Sequence, residues 1–367
     1  MKQKKYIISG GGTGGHIFPA IAIGKEIKKR FSDAEILYVG AKGGMEMTLV
    51  PKSGFSIEGV WISGIQRQLT VKNIGRNLLF PFKFFVSLWQ AYRILSRFKP
   101  DCVIGVGGYA SGPLGRVAGW KSVPLVICEQ NAFPGLTNRW LSKKAAKILL
   151  GNADAQKYFD AAKCVVTGNP VRTFELKNQK DAIAALGLNP DKPVVLSLGG
   201  SLGSLKINQV LENQLSEILD SDIQLIWQTG KYYFVGLQQR VKSHPNLKMS
   251  AFIEDMATAY SAADMIISRA GGSTISEMIL LSKASILVPS PNVSEDHQTK
   301  NALSLVNEGA AILVKDADAA SALIPELKAI LTNPERLNAL KNKIQAIPKH
   351  DSAKEIVAEI EKVIQTK

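Results

Sequence analysis

The chain has 367 residues, 46% of them apolar, enough for two or three domains with real cores, which excludes a mainly disordered protein. Against 31 Asp and Glu stand 45 Lys and Arg, a formal charge of +14 that implies an anionic partner: nucleic acid, a membrane surface or a phosphorylated ligand. Three cysteines without a C-x-x-C, and four histidines without metal-ligand spacing, exclude a disulfide framework and a structural zinc site and fit a reducing compartment.

From the N-terminus, a basic start is followed only by Tyr6-Ile7-Ile8 before polar residues and glycines, so no secretory signal is expected. Short β-branched runs ending in glycine or polar turns predict strands at 5–9, 35–39, 56–61, 102–106, 124–128 and 147–150, with helical periods between them. The segment 77–95 is the most apolar of its length, but Pro81, Lys83, Gln90 and Arg93 interrupt it, and it is not expected to span a membrane. Within 73–95, Ile74, Leu78, Phe82, Phe85, Trp89 and Tyr92 recur every three or four residues and predict one helical apolar stripe, bent at Pro81. Such a stripe is ordinarily core. Here Leu79, Phe84 and Leu88 widen it beyond one face, and Lys72, Arg76, Lys83, Arg93 and Arg97 fringe it, as in a helix lying in a membrane interface. Residues 61–147 hold 13 Lys or Arg against Asp101 and Glu129 alone, so the anionic partner is expected in this half.

The second half repeats the grammar, with strands predicted at 193–198, 223–228, 247–252, 264–268, 285–289 and 311–314. A dozen strands alternating with helices predict an α/β protein with two Rossmann-like, doubly wound domains rather than one very wide sheet. The seam is expected near Gly168-Asn169-Pro170, giving domains 1–169 and 170–349. A terminal segment, 350–367, is expected to pack as a helix back on the first domain. The D-x-D pairs Asp220/Asp222 and Asp316/Asp318 fall in polar connections and read as solvated turns.

Four glycine-rich turns follow predicted strands: 10–16 (GGGTGGH), 105–109 (GVGGY), 199–204 (GGSLGS) and 269–274 (RAGGST). Any one can be a tight strand-to-helix turn; at the carboxyl end of a parallel strand the same turn can also cradle a phosphate at a helix N-terminus. Gly10, Gly12 and Gly15 match G-x-G-x-x-G formally, but the second strand ends Tyr38-Val39-Gly40-Ala41-Lys42 without the carboxylate a dinucleotide needs, which argues against a dehydrogenase. The P-loop pattern is absent. His16 either merely occupies a helix start or, kept neutral by the helix dipole, serves as a general base. Glu277 closes a T-x-x-E capping box from Thr274, or else grips a vicinal diol such as a ribose.

With these loops in place, the chain resembles the MurG family of membrane-associated N-acetylglucosaminyltransferases. The resemblance rests on ordered motifs along nearly the whole chain: GGGTGGHIFPA (10–20), GVGGYASGP (105–113), EQNAFPGLTNR (129–139), GNPVR (168–172), LGGSLGS (198–204), FIEDM (252–256), SRAGGSTISE (268–277) and EDHQTKNA (295–302). It implies a two-domain GT-B fold facing a cleft and, without a metal or other cofactor, inverting transfer of GlcNAc from UDP-GlcNAc to the C4 hydroxyl of undecaprenyl-pyrophosphoryl-MurNAc-pentapeptide, lipid I. It implies donor contacts at Thr13, Gly14, Gly15, Asn131, Arg172, Ser201, Ile253, Gly272, Ser273, Thr274, Ile275, Ser276, Glu277 and Gln298. Arg172 and a helix start at Ser201 would offset charge on the leaving UDP, Ile253 would offer backbone groups to uracil, and Gln298 an amide to the sugar. His16 is the expected base, and Gly107, Gly108 and Tyr109 are the expected seat of the acceptor's pyrophosphate. Ile74, Leu78, Leu79, Phe82, Phe85 and Trp89 are the expected contacts with an anionic membrane, peripherally on its cytoplasmic face, where other cell-wall synthesis proteins are the expected neighbours. Leu202 stands where the family usually has glutamine, so a side-chain contact there is not carried over.

Three rival readings differ in class. A natural-product glycosyltransferase shares the donor chemistry but leaves the basic, aromatic segment 61–147 unexplained. A UDP-GlcNAc 2-epimerase needs acid and base groups for the sugar's C2 that the sequence does not offer. A nucleic-acid binder would use the charge, yet no helix-turn-helix, RRM or KH signature is present, and no nucleic acid is expected as a partner.

Overall fold

The computed structural model describes residues 3–64, 78–172, 174–200 and 203–365, the side chain of residue 294 excepted. The chain divides into two units, Met1–Val171 with His350–Lys367, and Arg172–Lys349.

The first unit is built on a parallel sheet of β1 (Lys5–Ser9), β2 (Glu35–Ala41), β3 (Ser56–Val60), β4 (Cys102–Gly105), β5 (Leu125–Glu129), β6 (Lys147–Leu150) and β7 (Cys164–Val166), in the order β3-β2-β1-β4-β5-β6-β7. Its central strands are apolar on both faces, as a sheet covered on both sides requires. On β1, Tyr6 and Ile8 face a cluster with Ile17, Ile23 and Ile27 of the Gly14–Arg30 helix, joined there by Ile356, Val357 and Ile360 of the C-terminal helix Ser352–Gln365. Ile7 points the other way, toward Ala91, Ile94 and Leu95 of the helix Phe80–Phe98 and Leu114 and Val117 of Ser111–Trp120.

The second unit carries β8 (Val194–Leu198), β9 (Gln224–Gln228), β10 (Leu247–Ser250), β11 (Met265–Ser268), β12 (Ser285–Leu287) and β13 (Ala311–Leu313), all parallel, in the order β10-β9-β8-β11-β12-β13. In each sheet the strand order reverses once, between β1 and β4 and between β8 and β11. Ligands bind open α/β sheets at the carboxyl ends of such a switch point, because the connections leave in opposite directions and open a crevice. The four glycine turns follow β1, β4, β8 and β11, so both switch points are lined by a pair of them.

One element goes beyond the expected strands. The strand β7 was not anticipated; it is a three-residue, half-buried edge, too short for a pattern to show. A helix starts at Phe80 with Pro81 in its first turn, where its missing N–H costs nothing, and the bend expected at Pro81 involves residues 73–77, which lie outside the described residues.

Candidate active site

At the switch point of the first unit, the turns after β1 and β4 press against each other. A Cβ on Gly108 would lie 2.4 Å from the Gly11 carbonyl oxygen, and one on Gly107 would lie 2.6 Å from the His16 ring; both glycines have φ near +90°. No other residue meets both demands. The Gly14–Arg30 helix begins here with Thr13 at its N-cap, so His16 stands in the first turn. Its Nδ1 lies 3.2 Å from the Gly11 carbonyl and 3.3 Å from Thr13 Oγ1. A carbonyl only accepts, so in the contact with Gly11 it is Nδ1 that donates. Thr13 and Gly15 are exposed, and Gly14 and His16 half-buried, beside this pair of loops.

Two buried carboxylates organise these loops, and neither was singled out from sequence. Glu46, fully buried, accepts from the Gly12 N–H through Oε2 (3.0 Å) and from the Ala41 N–H through Oε1 (2.9 Å). Glu129, at the end of β5, accepts from the backbone N–H and Nδ2 of Asn131, from the Gly135 N–H and from Asn138 Nδ2. Burial raises its pKa, and these hydrogen bonds oppose the rise. Asn131 is thus fixed at two points by the strand end that precedes it.

The second loop leads toward the aromatic helix. The Tyr109 ring lies over Gly64, where a Cβ would come within 2.1 Å of it, while Lys83 Nζ donates to Ser63 Oγ. The Phe80–Phe98 helix is apolar on two faces. Phe84, Ser87, Leu88, Ala91, Ile94 and Leu95 pack inward, which corrects the reading of Phe84 and Leu88 as surface. Outward stand Leu78 (82% exposed), Leu79, Phe82, Phe85 (70%), Trp89 and Tyr92. Cations sit on that surface: Arg93 over the Trp89 ring at 4.9 Å and Lys121 over Tyr92 at 4.2 Å. Ile74, Lys72 and Arg76 lie outside the described residues.

In the second unit, the helix Gly272–Leu281 follows β11 directly with Gly271 as its N-cap. Thr274 is therefore inside the helix, and the capping-box reading of Glu277 is corrected: the two glycines let the helix start three residues earlier. Glu277 instead accepts from the buried Tyr260 hydroxyl at 2.7 Å, on a helix whose first turn directs its N–H groups and positive dipole end toward the switch point. Burial raises the Glu277 pKa, opposed by the Tyr260 hydrogen bond and by the charge of Arg172, an exposed side chain of the same unit. Ser273 Oγ is buried without a hydrogen-bond partner among the described residues, and Ser276 Oγ donates to the Gly272 carbonyl. Ile275 points into the core. The same loop is anchored by Arg269, which donates to the Val288 and Pro289 carbonyls and pairs with Asp316, so Asp316 is a structural partner and not a solvated turn.

One further expectation changes. The Ile253 N–H already donates to buried Gln228 Oε1 (2.9 Å), leaving its carbonyl for a ligand. After β8 the helix starts at Leu205, with Ser204 capping it; Ser201 and Leu202, where the helix start was expected, lie outside the described residues. Gln298 Oε1 accepts from the Ser290 N–H, so Nε2 is the side chain's donor.

Residues 6–150 match the glycosyltransferase family 28 N-terminal domain and residues 194–359 its C-terminal domain. Over the full length of both chains, the sequence is 46% identical to the UDP-N-acetylglucosamine–N-acetylmuramyl-(pentapeptide) pyrophosphoryl-undecaprenol N-acetylglucosamine transferase of Parabacteroides distasonis. The chain belongs to that transferase family. The family member of Bacteroides fragilis is 48% identical, covering 98% of this chain and 96% of the relative. The crystal structure of Acinetobacter baumannii MurG superposes with a TM-score of 0.77 at 29% identity, covering 98% of this chain and 99% of that one. A putative UDP-N-acetylglucosamine 2-epimerase from Listeria monocytogenes (TM-score 0.66, 15% identity, full cover of this chain and 98% of that one) shares the fold alone. This family member is accordingly a GT-B-type glycosyltransferase, and the dehydrogenase, epimerase and nucleic-acid readings fall away.

Proposed function

We propose that this chain moves GlcNAc from UDP-GlcNAc to the C4 hydroxyl of undecaprenyl-pyrophosphoryl-MurNAc-pentapeptide, with inversion, as a peripheral protein on the cytoplasmic face of an anionic membrane. The observation that carries this is full-length identity of 46–48% with transferases of that name. The switch-point loops supply parts that such a reaction needs.

The second unit holds the nucleotide. The Glu277 carboxylate accepts from the ribose hydroxyls, the Ile253 carbonyl from the uracil N3–H, and Gln298 Nε2 donates to a sugar hydroxyl. The Gly272 helix start and Arg172 offset the charge that grows on UDP as its bond to the sugar C1 breaks. The first unit handles the acceptor. His16 Nε2 takes the C4 hydroxyl proton as that oxygen forms its bond to C1 on the face opposite the departing UDP. Gly107, Gly108 and Tyr109 receive the acceptor's pyrophosphate, while Thr13, Gly14 and Gly15 in the His16 turn and Asn131 on the Glu129-fixed loop add contacts to the donor. The lipid tail remains in the bilayer, against which the outer face of the Phe80–Phe98 helix rests, its aromatics at the headgroup boundary and its Lys and Arg on anionic lipid.

The test is UDP release from UDP-GlcNAc with and without the lipid-linked acceptor. Release that depends on the acceptor and yields the disaccharide is expected. Release independent of acceptor, or conversion of the donor to its 2-epimer, would overturn the reading.

A further inference from the structure

A buried carboxylate with no place in the mechanism above stands behind the first glycine loop. Glu46 opens the short helix Glu46–Lys52 after β2 and is completely enclosed. Three glycines make room for it: a Cβ on Gly11, Gly40 or Gly44 would come within 2.1–2.4 Å of its side chain. Space kept at three separate backbone positions for one acidic side chain points to a specific task.

That task is visible in one peptide plane. The Gly11 carbonyl and the Gly12 N–H belong to the same trans peptide and point in opposite directions. Glu46 Oε2 accepts the Gly12 N–H, and the Gly11 carbonyl on the other side of the plane meets His16 Nδ1. The second oxygen of Glu46 is tied to the Ala41 N–H at the end of β2, which anchors the carboxylate to the sheet. We propose that Glu46 is a positioning residue for His16: by clamping the Gly11–Gly12 peptide it holds the imidazole in the Nδ1–H tautomer, with Nε2 as the proton acceptor. The arrangement does through one peptide group what a carboxylate bonded directly to a catalytic imidazole does in a Ser-His-Asp triad. It also occupies the Gly12 N–H, so that donor is not part of any phosphate cradle. The proposal rests on the reading of His16 as base.

In Glu46→Gln the amide can accept from only one of the two backbone N–H groups and turns a donor on the other. Loss of such an orienting group is expected to lower kcat about 10- to 100-fold, with the KM for UDP-GlcNAc unchanged and with no further loss when the change is added to His16→Ala. Since a variant at a buried position can fail to fold, the tautomer is measured on the unaltered chain by 15N imidazole resonances, the His16 signals being assigned by their absence in His16→Ala. Protonated Nδ1 and unprotonated Nε2 are expected. An Nε2–H tautomer would overturn the proposal, as would a folded Glu46→Gln variant with full kcat. If instead His16→Ala keeps its turnover, the base reading fails, and the tautomer measurement alone decides the clamp.

Discussion

The two switch points use the same glycine turns but finish them differently. In the first unit the loops are closed by the protein itself: Glu46 takes the Gly12 N–H, Glu129 takes four donors around Asn131, and Gly107 and Gly108 leave room only for His16 and Gly11. In the second unit the loop after β11 ends in a helix start where, among the described residues, the buried Ser273 hydroxyl has no partner and the Glu277 carboxylate has one neutral hydrogen-bond donor. A rigid, self-satisfied loop suits a residue that must hold one geometry while a proton moves. A loop with polar groups in reserve suits a ligand that arrives with its own donors and acceptors. The difference separates base from binding surface, and substitution can test it on either side.

The largest expected effect is at His16. His16→Ala should lower kcat by roughly 10² to 10⁴ in steady-state assays with the lipid-linked acceptor; near-normal turnover would remove it as base. On the other side, Glu277→Gln should weaken UDP binding about 10- to 100-fold by calorimetry, because a charged hydrogen-bond acceptor is lost. The same variant has a pH signature. A carboxyl whose folded pKa is raised binds more protons folded than unfolded, so it costs stability as pH climbs from the ordinary glutamate range through the raised value. Thermal unfolding above that window should find Glu277→Gln as stable as the unaltered chain or more so, and a drop in Tm would mean that Glu277 is structural. A smaller effect is expected on the outer face of the Phe80–Phe98 helix. Changing Leu79 and Phe82, exposed side chains there, to Ser should reduce binding to anionic vesicles roughly tenfold, with Tm retained and activity on a short-chain soluble acceptor preserved. Equal loss on both acceptors would place the membrane contact elsewhere.

The sheets were legible in the sequence because parallel strands buried on both faces write short apolar runs that end in glycine. The strand Cys164–Val166 was not, since three residues at a half-buried edge write no pattern. His16 and the glycines could be found from local spacing alone. Glu46 could not: it serves a loop 34 residues away, and in the sequence it is one acidic residue at a helix start, its only trace the glycines at 40, 43 and 44 beside it. Glu277 was found but its local alternative misjudged, since the T-x-x-E spacing is that of a capping box and only the observed helix start at Gly272 excludes one. On the Phe80–Phe98 helix the spacing marks Phe82, Phe85, Trp89 and Tyr92 as one stripe, but only packing shows that this stripe faces outward while Phe84 and Leu88 go to the core, because both faces are apolar.

The most direct test of the division between a proton-handling loop and a nucleotide-holding loop is UDP affinity in His16→Ala set beside that in Glu277→Gln. The account predicts that His16→Ala binds UDP as the unaltered chain does while Glu277→Gln binds it ten- to a hundredfold more weakly. If His16→Ala loses UDP affinity as much as Glu277→Gln, or Glu277→Gln loses none, the nucleotide is not held mainly by the second unit and the division of labour is wrong.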